Sequence, residues 1–217
     1  MKKIFLSVVI PSYDEMANLQ KGVLDKVNHF LKKKNYTYEV IIVDDGSKDG
    51  SVEFAEKFAK DNPSFRVIKN EHLGKAGAVT KGVLAAVGKY ILFTDMDQAT
   101  PIDEADKLLP YFEEALPAGR QGFDIVIGSR IGKRRGAPWT RVLMAKGMIF
   151  TRTVLVGLSG ISDTQCGFKM FRQNVAKRLF SKINEFHKGF GQVSGSSVSP
   201  GFDVELLYLA QKMGYKI

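Results

Sequence analysis

Along this chain, short apolar runs alternate with stretches whose apolar residues recur every three or four positions. Residues 5–10 form the first strand-like run, ended by Pro11. Leu19, Val23, Val27, Phe30 and Leu31 then follow at helical spacing. Val40-Ile41-Ile42-Val43 is β-branched and wholly apolar, a second strand. Val52, Ala55, Phe58 and Ala59 mark a helix entered after Ser47-Lys48-Asp49-Gly50. Residues 65–68 predict a third strand. Val79, Val83 and Val87 predict a third helix, entered through Gly74-Lys75-Ala76-Gly77. A fourth strand covers 90–94, Ala105, Leu108, Leu109 and Phe112 give a fourth helix, and Ile125-Val126-Ile127 a fifth strand. This βαβαβαβαβ order predicts an α/β fold: a mostly parallel central sheet with helices on both faces.

The second half is less regular. Pro117 to Gly122 reads as a surface loop, and 132–138, with Lys133, Arg134 and Arg135, as another. Residues 141–158 predict a helix apolar on most sides. Residues 189–201 are rich in Gly and Ser and have no period, as in a flexible loop. Leu206, Leu207 and Ala210 give a last helix over 203–212. Tyr215-Lys216-Ile217 has the look of a starting strand, so the natural protein is expected to continue.

Composition narrows the class. The chain has 217 residues, 44% of them hydrophobic, enough for one α/β domain with a sizeable core. Three His and one Cys exclude a zinc ribbon and a disulfide framework. The single thiol, Cys166, fits a reducing compartment. A formal charge of +9 favours anionic partners, whether nucleic acid, acidic lipid or phosphorylated substrate, but equally describes a solvated basic face. Met1-Lys2-Lys3 leads straight into a strand-like run, with no secretory signal. No apolar stretch reaches membrane-span length; 142–158 is interrupted by Lys146 and Arg152.

The candidate chemistry lies at strand ends. Asp95-Met96-Asp97 follows the run Tyr90-Ile91-Leu92-Phe93. Ligands of open α/β sheets bind at the carboxyl ends of the strands. Two close carboxylates repel each other unless a cation sits between them, and hard oxygen ligands favour Mg²⁺ or Mn²⁺. Read without that context, the pair is a solvated turn acid and a helix cap. Asp44-Asp45-Gly46-Ser47 ends the second strand, where its carboxylates can accept from a base or ribose, or merely close a turn. Lys75 stands among small residues at a helix start, where backbone N–H groups and an ammonium can face a diphosphate. His29, His72 and His187 show no ligand spacing and read as structural or surface residues; Trp139 reads as a packing residue.

Taken together, these motifs resemble family-two glycosyltransferases of the GT-A fold, in particular the branch that glycosylates polyprenyl phosphates. The run from Val8 to Glu15 resembles the family's opening strand and loop, with Asp14 where the family usually has Asn. Val43 to Ser47 resembles its base-recognition motif, Asn70 to Gly77 its third loop, and Asp95-Met96-Asp97 its metal motif. Gly128-Ser129-Arg130 and Asp163 to Lys169 resemble acceptor-side motifs, the latter especially like the glucosyltransferases. Ala99 stands where the mannosyltransferases carry a Gln that joins the metal, and Thr100-Pro101 is more like the glucosyltransferases.

The resemblance implies one glycosyltransferase domain over 1–217, with 1–100 binding the nucleotide sugar and 101–217 facing the acceptor. It implies nucleotide-sugar contacts from Pro11, Tyr13, Glu15, Asp44, Asp45, Lys75, Asp95, Met96 and Asp97, and Mg²⁺ or Mn²⁺ on Asp95 and Asp97. Asp97, Asp163 and Arg130 are the expected catalytic residues. Arg130 and Arg141 are expected to hold the acceptor phosphate, although the branch's Ser four residues past Arg141 is here Ala145. The implied reaction is inverting transfer of a hexose, glucose from UDP-glucose, to a dolichyl-type phosphate, with no nucleic-acid partner. The implied place is the cytoplasmic face of a membrane, held at the surface without a span.

Two readings keep the fold. One is a soluble transferase with a sugar-hydroxyl acceptor, for which Asp163 would act as base; the other is a GDP-mannose-dependent mannosyltransferase. An NAD-binding Rossmann protein would need a Gly-x-Gly-x-x-Gly where Pro11-Ser12-Tyr13-Asp14 stands. A nucleotidyltransferase would also want a Gly-rich first loop. A nucleic-acid module would need aromatics interleaved with Lys and Arg, but here the aromatics sit mostly in apolar runs.

Overall fold

The computed structural model describes residues 3–113, 122–129, 160–161, 163–188, 190–191 and 201–217. Four parallel strands lie side by side: β1 (Leu6–Ser12), β2 (Tyr38–Asp44), β3 (Phe65–Lys69) and β4 (Tyr90–Thr94). Two more complete a six-stranded sheet of order β3-β2-β1-β4-β6-β5: β5 (Ile125–Ile127) and β6 (Phe168–Arg172). Strand β6 runs antiparallel to both β4 and β5, so the sheet is mostly parallel with one reversed strand.

The apolar runs are unbroken because both faces of the sheet are covered. Alternate residues supply the two faces. Val8, Ile10, Ile42 and Leu92 pack with Leu24, Val27 and Leu31 of α2 (Val23–Lys32) and with Ala55 of α3 (Ser51–Asp61). Val9, Ile41, Val43, Ile91 and Phe93 pack on the other side with Ala78, Val79 and Val83 of α4 (Gly74–Ala85). All these strand side chains are fully buried. Each contributes on the order of 1.5–3 kcal/mol of burial free energy. Helix α4 rides close on the sheet: a Cβ at Gly82 would stand 2.4 Å from Val9 Cγ1 and 2.8 Å from Val43 Cγ2.

Several expectations change. The first helical pattern is two helices, a short α1 (Met16–Gln20) and then α2, because Gly22 adopts a left-handed φ of 72° between them. Pro11 lies inside β1 rather than ending it. Its missing N–H is tolerated because β4 pairs with β1 only from Leu6 to Val9, leaving that side of Pro11 outside the ladder. The fourth helix is a 3₁₀ turn (Ile102–Glu104), a short α5 (Ala105–Leu108) and a second 3₁₀ turn (Leu109–Phe112) that contains Pro110. Val87 lies beyond α4 and is 55% exposed.

Strand β6 and the helix after it, α6 (Gln173–Phe186), are absent from the predicted order. Helix α6 buries Val175, Ala176, Leu179, Phe180 and Ile183 against the α4 side of the sheet. Helix α7 (Phe202–Lys212) matches the last predicted helix and packs on the same side. Lys216 is bonded beside the start of β5: its backbone O accepts from Asp124 and Ile125 N–H. The 141–158 helix, the 132–138 loop, Trp139, Arg130, Arg141 and Ala145 lie outside the described residues, as does most of the 117–122 and 189–201 loops. No helix among the described residues is long and apolar enough to cross a membrane.

Candidate functional site

The carboxyl ends of β1, β2, β3 and β4 share one edge of the sheet, and a cavity of about 310 Å³ opens there. Pro11, Ser12, Tyr13 and Glu15 line it from β1 and the loop after it. Asp45 comes from the end of β2; His72, Gly74, Lys75 and Ala78 come from the β3–α4 loop and helix; Asp95, Met96 and Asp97 follow β4. Thus every residue expected to contact a nucleotide sugar lines this cavity except Asp44. Non-glycine residues with positive φ stand in three of these loops: Asp14 (52°), His72 (48°) and Gln98 (50°). Such conformations cost of order 1–3 kcal/mol each and persist where the surroundings over-determine them.

The adjacent carboxylates of β2 do different work. Asp44 is turned into its own turn: Oδ2 accepts from Gly46 N–H at 3.2 Å and Ser47 N–H at 3.1 Å, and Oδ1 from Ser47 Oγ at 2.5 Å. Asp45 reaches across to the start of α4. Its Oδ1 accepts from Asn70 Nδ2 (2.6 Å) and Leu73 N–H (2.9 Å), and its Oδ2 from Gly74 N–H (2.8 Å). A carboxylate at a helix N-terminus satisfies otherwise unpaired N–H groups and is favoured by the dipole. Asp45 therefore fixes the loop that carries His72 and Lys75.

His72 is a cavity residue that sequence pattern does not flag. Its ring stacks on Tyr13 with centroids 4.3 Å apart and planes 19° apart. Its Nδ1 lies 2.8 Å from the Asp45 carbonyl oxygen and 3.2 Å from Asp45 Oδ2. Both are acceptors, so Nδ1 carries the proton.

At the end of β4, Lys75 Nζ meets Asp95 Oδ1 at 2.6 Å. Asp97 is exposed, and its Oδ1 accepts from Ala99 N–H at 2.9 Å, closing a tight turn. Gly167 lies flat against Asp95: a Cβ there would fall 1.8 Å from Asp95 Oδ2. Only glycine fits that contact. Burial pushes the Glu15 carboxyl above its ordinary value, and the charges of Asp97, Asp95 and Asp49 add to this, while a hydrogen bond from Asn18 opposes it. Glu15, Asp95 and Asp97 thus set three carboxylates along this cavity.

Carboxylate oxygens of this kind suit a hard divalent cation. No group of three or more His, Cys, Asp or Glu positioned for a metal occurs among the described residues. Asp95 and Asp97 alone could supply only part of such a cation's oxygen shell, leaving the rest to substrate oxygens and water.

Asp163 does not line this cavity; its Oδ1 accepts from Gln165 N–H at 3.1 Å in the turn leading to Cys166 and Gly167. Ser129 lines a second, neighbouring cavity of about 420 Å³ with Thr100, Gly128, Cys166 and Phe168.

A dolichyl-phosphate beta-glucosyltransferase of Dictyostelium discoideum is 34% identical over 99% of this chain and 64% of its own length. Proteins of the same name are 37% identical in Drosophila melanogaster (96% of this chain, 63% of theirs) and 36% in Homo sapiens (95% and 63%). The chain thus spans just under two thirds of the length of these relatives. Among solved structures, a mannosyltransferase of Pyrobaculum calidifontis in complex with GDP-Man and Mn²⁺ superposes with a TM-score of 0.58 at 17% identity, covering 97% of this chain and 53% of that one. Glucosyl-3-phosphoglycerate synthase of Mycobacterium tuberculosis, with Mn²⁺, UDP and its glucosylated product, gives 0.55 at 17%, covering 99% and 81%. At such identity these likenesses bear on the fold alone, which is the GT-A fold. Residues 7–180 match the family model of Glycosyl transferase family 2, and with relatives this similar along nearly its whole length, the chain belongs to that family.

Proposed function

We propose that this protein transfers glucose from UDP-glucose to a dolichyl-type polyprenyl phosphate, with inversion at the anomeric carbon. One observation carries the reading: Lys75, Asp95 and Asp97 converge at the end of β4 in the cavity that Pro11 and Tyr13 also line. The names of the relatives support the glucosyl donor and the lipid acceptor.

Each residue has a role in this scheme. Tyr13 and Pro11 offer flat apolar surface to a nucleobase. Asp95 and Asp97 would hold Mg²⁺ or Mn²⁺, which when bound offsets charge on the leaving diphosphate. Lys75 adds a second positive group at the same place and, being paired with Asp95, is already held at the cavity wall. Met96 is buried beneath the pair and fixes the backbone between them. A phosphate monoester with a second pKa near 6 is largely ionised at neutral pH, so the acceptor oxygen needs positioning more than deprotonation. Arg130 and Arg141 are the residues assigned to that positioning, since guanidinium forks donate paired hydrogen bonds to phosphate. A phosphorylated lipid also calls for contact with a membrane surface, which the net charge of +9 suits.

The test is a donor screen: the protein with polyprenyl phosphate, Mg²⁺ or Mn²⁺, and UDP-glucose, UDP-N-acetylglucosamine or GDP-mannose. Lipid-linked glucose from UDP-glucose is expected. Product from GDP-mannose alone, or transfer only to a sugar hydroxyl, overturns the reading.

A further inference from the structure

Lys169 has no exposure at all, on β6 between β4 and β5. It pairs in register with Phe93 of β4, and its ammonium lies 5.1 Å from the centre of that ring. Burial pushes its pKa down, against the upward pull of Asp203. A buried charge of this kind is costly unless fully bonded, and replacing such a pair with apolar residues is often neutral or stabilising. Stability alone therefore does not account for it.

The two bonds it makes are informative. Nζ donates to Asp203 Oδ1 at 2.5 Å, in the first turn of α7, and to the Cys166 carbonyl oxygen at 2.6 Å. The second bond pins the peptide that enters Gly167. Gly167 in turn abuts the Asp95 carboxylate so closely that no side chain fits between them. On the far side, Asp95 is held by Lys75. Asp95 is thus clamped between an ammonium and a backbone turn, and the turn is held by a lysine the cavity never touches.

We propose that Lys169, bonded to Asp203, is a positioning residue for Asp95: it fixes the Cys166–Gly167 turn as a backstop that keeps the carboxylate aimed at the metal–diphosphate position. This rests on the nucleotide-sugar reading above and extends it to two residues outside the cavity. Partners that orient a metal's carboxylate ligands typically change metal affinity ten- to a hundredfold when removed.

The double variant K169M/D203L removes the charge pair without leaving either member alone. Its thermal midpoint and its affinity for UDP, with and without Mn²⁺, are compared with wild type by calorimetry. The latch predicts a midpoint near wild type, unchanged metal-free UDP affinity, and Mn²⁺-dependent UDP affinity weakened about ten- to a hundredfold. Wild-type Mn²⁺-dependent affinity in the double variant overturns it, as does loss of metal-free UDP binding together with the midpoint. If the double variant does not fold, G167A decides. Its added methyl must displace Asp95, so a folded G167A with wild-type Mn²⁺-dependent binding also overturns the latch, and selective loss of that binding supports it. Wild-type protein that binds no UDP under either condition overturns the nucleotide-sugar reading itself, and the latch with it.

Discussion

Tyr13 and His72 lie face to face at 4.3 Å, one from the loop after β1 and the other from the loop after β3. One face of Tyr13 is therefore covered by the imidazole, and a nucleobase bound as proposed would meet the other. His72 is itself held through Nδ1 by Asp45. The stack sets the tilt of Tyr13 before any ligand arrives. Stacked aromatic pairs contribute about 0.5–1.5 kcal/mol beyond burial. H72A is expected to weaken UDP binding several-fold in calorimetry, while H72F, which keeps the stack and loses only the Nδ1 bond, stays closer to wild type. Unchanged affinity in H72A would remove Tyr13 positioning from the account.

In the proposed reaction Lys75 faces the leaving diphosphate. Its pair with Asp95 is about one-third exposed on both sides, so its effect on stability is small, about 0–1 kcal/mol. Its effect on turnover is larger, because a positive group aimed at developing charge contributes about 2.7–4 kcal/mol. K75M should lower kcat about a hundredfold with little movement of Tm. A large fall in Tm with a small fall in kcat would make the pair structural.

Much of this arrangement was legible in the sequence because strand ends are legible. The apolar runs of β1, β2 and β4 stop where the cavity begins, so acids placed just after them had to face one edge. Which of Asp44 and Asp45 points where was not legible, since neighbouring carboxylates differ only in the loops they reach. The break at Gly22 was hidden because Leu19, Val23 and Val27 keep helical spacing across it. Strand β6 was missed because Lys169 interrupts Phe168-Lys169-Met170-Phe171, and the carboxylate that makes its burial tolerable lies 34 residues away. His72 had no periodic signal at all, and its left-handed backbone is a property of the folded loop.

Glu15 gives a pH-dependent prediction whose sign follows from its raised pKa. A carboxyl with a raised folded-state pKa binds its proton more tightly in the folded state. Its stabilising contribution is full below the ordinary value near 4.5 and is lost as pH rises through the folded-state value. Once ionised, the group is a net burden on the folded protein. E15Q keeps an oxygen to accept from Asn18 and removes the charge. Its Tm should exceed wild type at pH 7, with the gain shrinking below the ordinary glutamate range. An equal gain at pH 7 and pH 4 would exclude the electrostatic cause.

Gly82 tests how closely α4 rides on the sheet. Alanine in a helix interior gains about 1 kcal/mol over glycine by propensity. Against that, its Cβ would fall 2.4 Å from Val9 Cγ1, on a rigid β-branched side chain. Overpacking of this kind costs about 1–3 kcal/mol, so the clash wins. G82A should be less stable in urea by up to about 2 kcal/mol after the propensity gain is subtracted. A more stable G82A would mean that α4 can lift without loss.

Asp97 is where the proposed metal chemistry is most exposed to test. The carboxylate uses Oδ1 to close the turn with Ala99 N–H at 2.9 Å. An asparagine retains a carbonyl oxygen for that bond, so D97N preserves the turn while removing the negative charge. Folding and metal-free UDP affinity should therefore be close to wild type. With only Asp95 left as an anionic ligand, and Asp95 already shared with Lys75, the Mn²⁺ enhancement of UDP binding should largely vanish. Turnover should fall by on the order of 10²-fold or more, since charge stabilisation at the leaving group is among the largest contributions to such reactions. Excess EDTA should reduce wild-type turnover to a comparable level and change D97N little further. Full wild-type turnover in EDTA would remove the cation from the mechanism and leave Lys75 as the cation there.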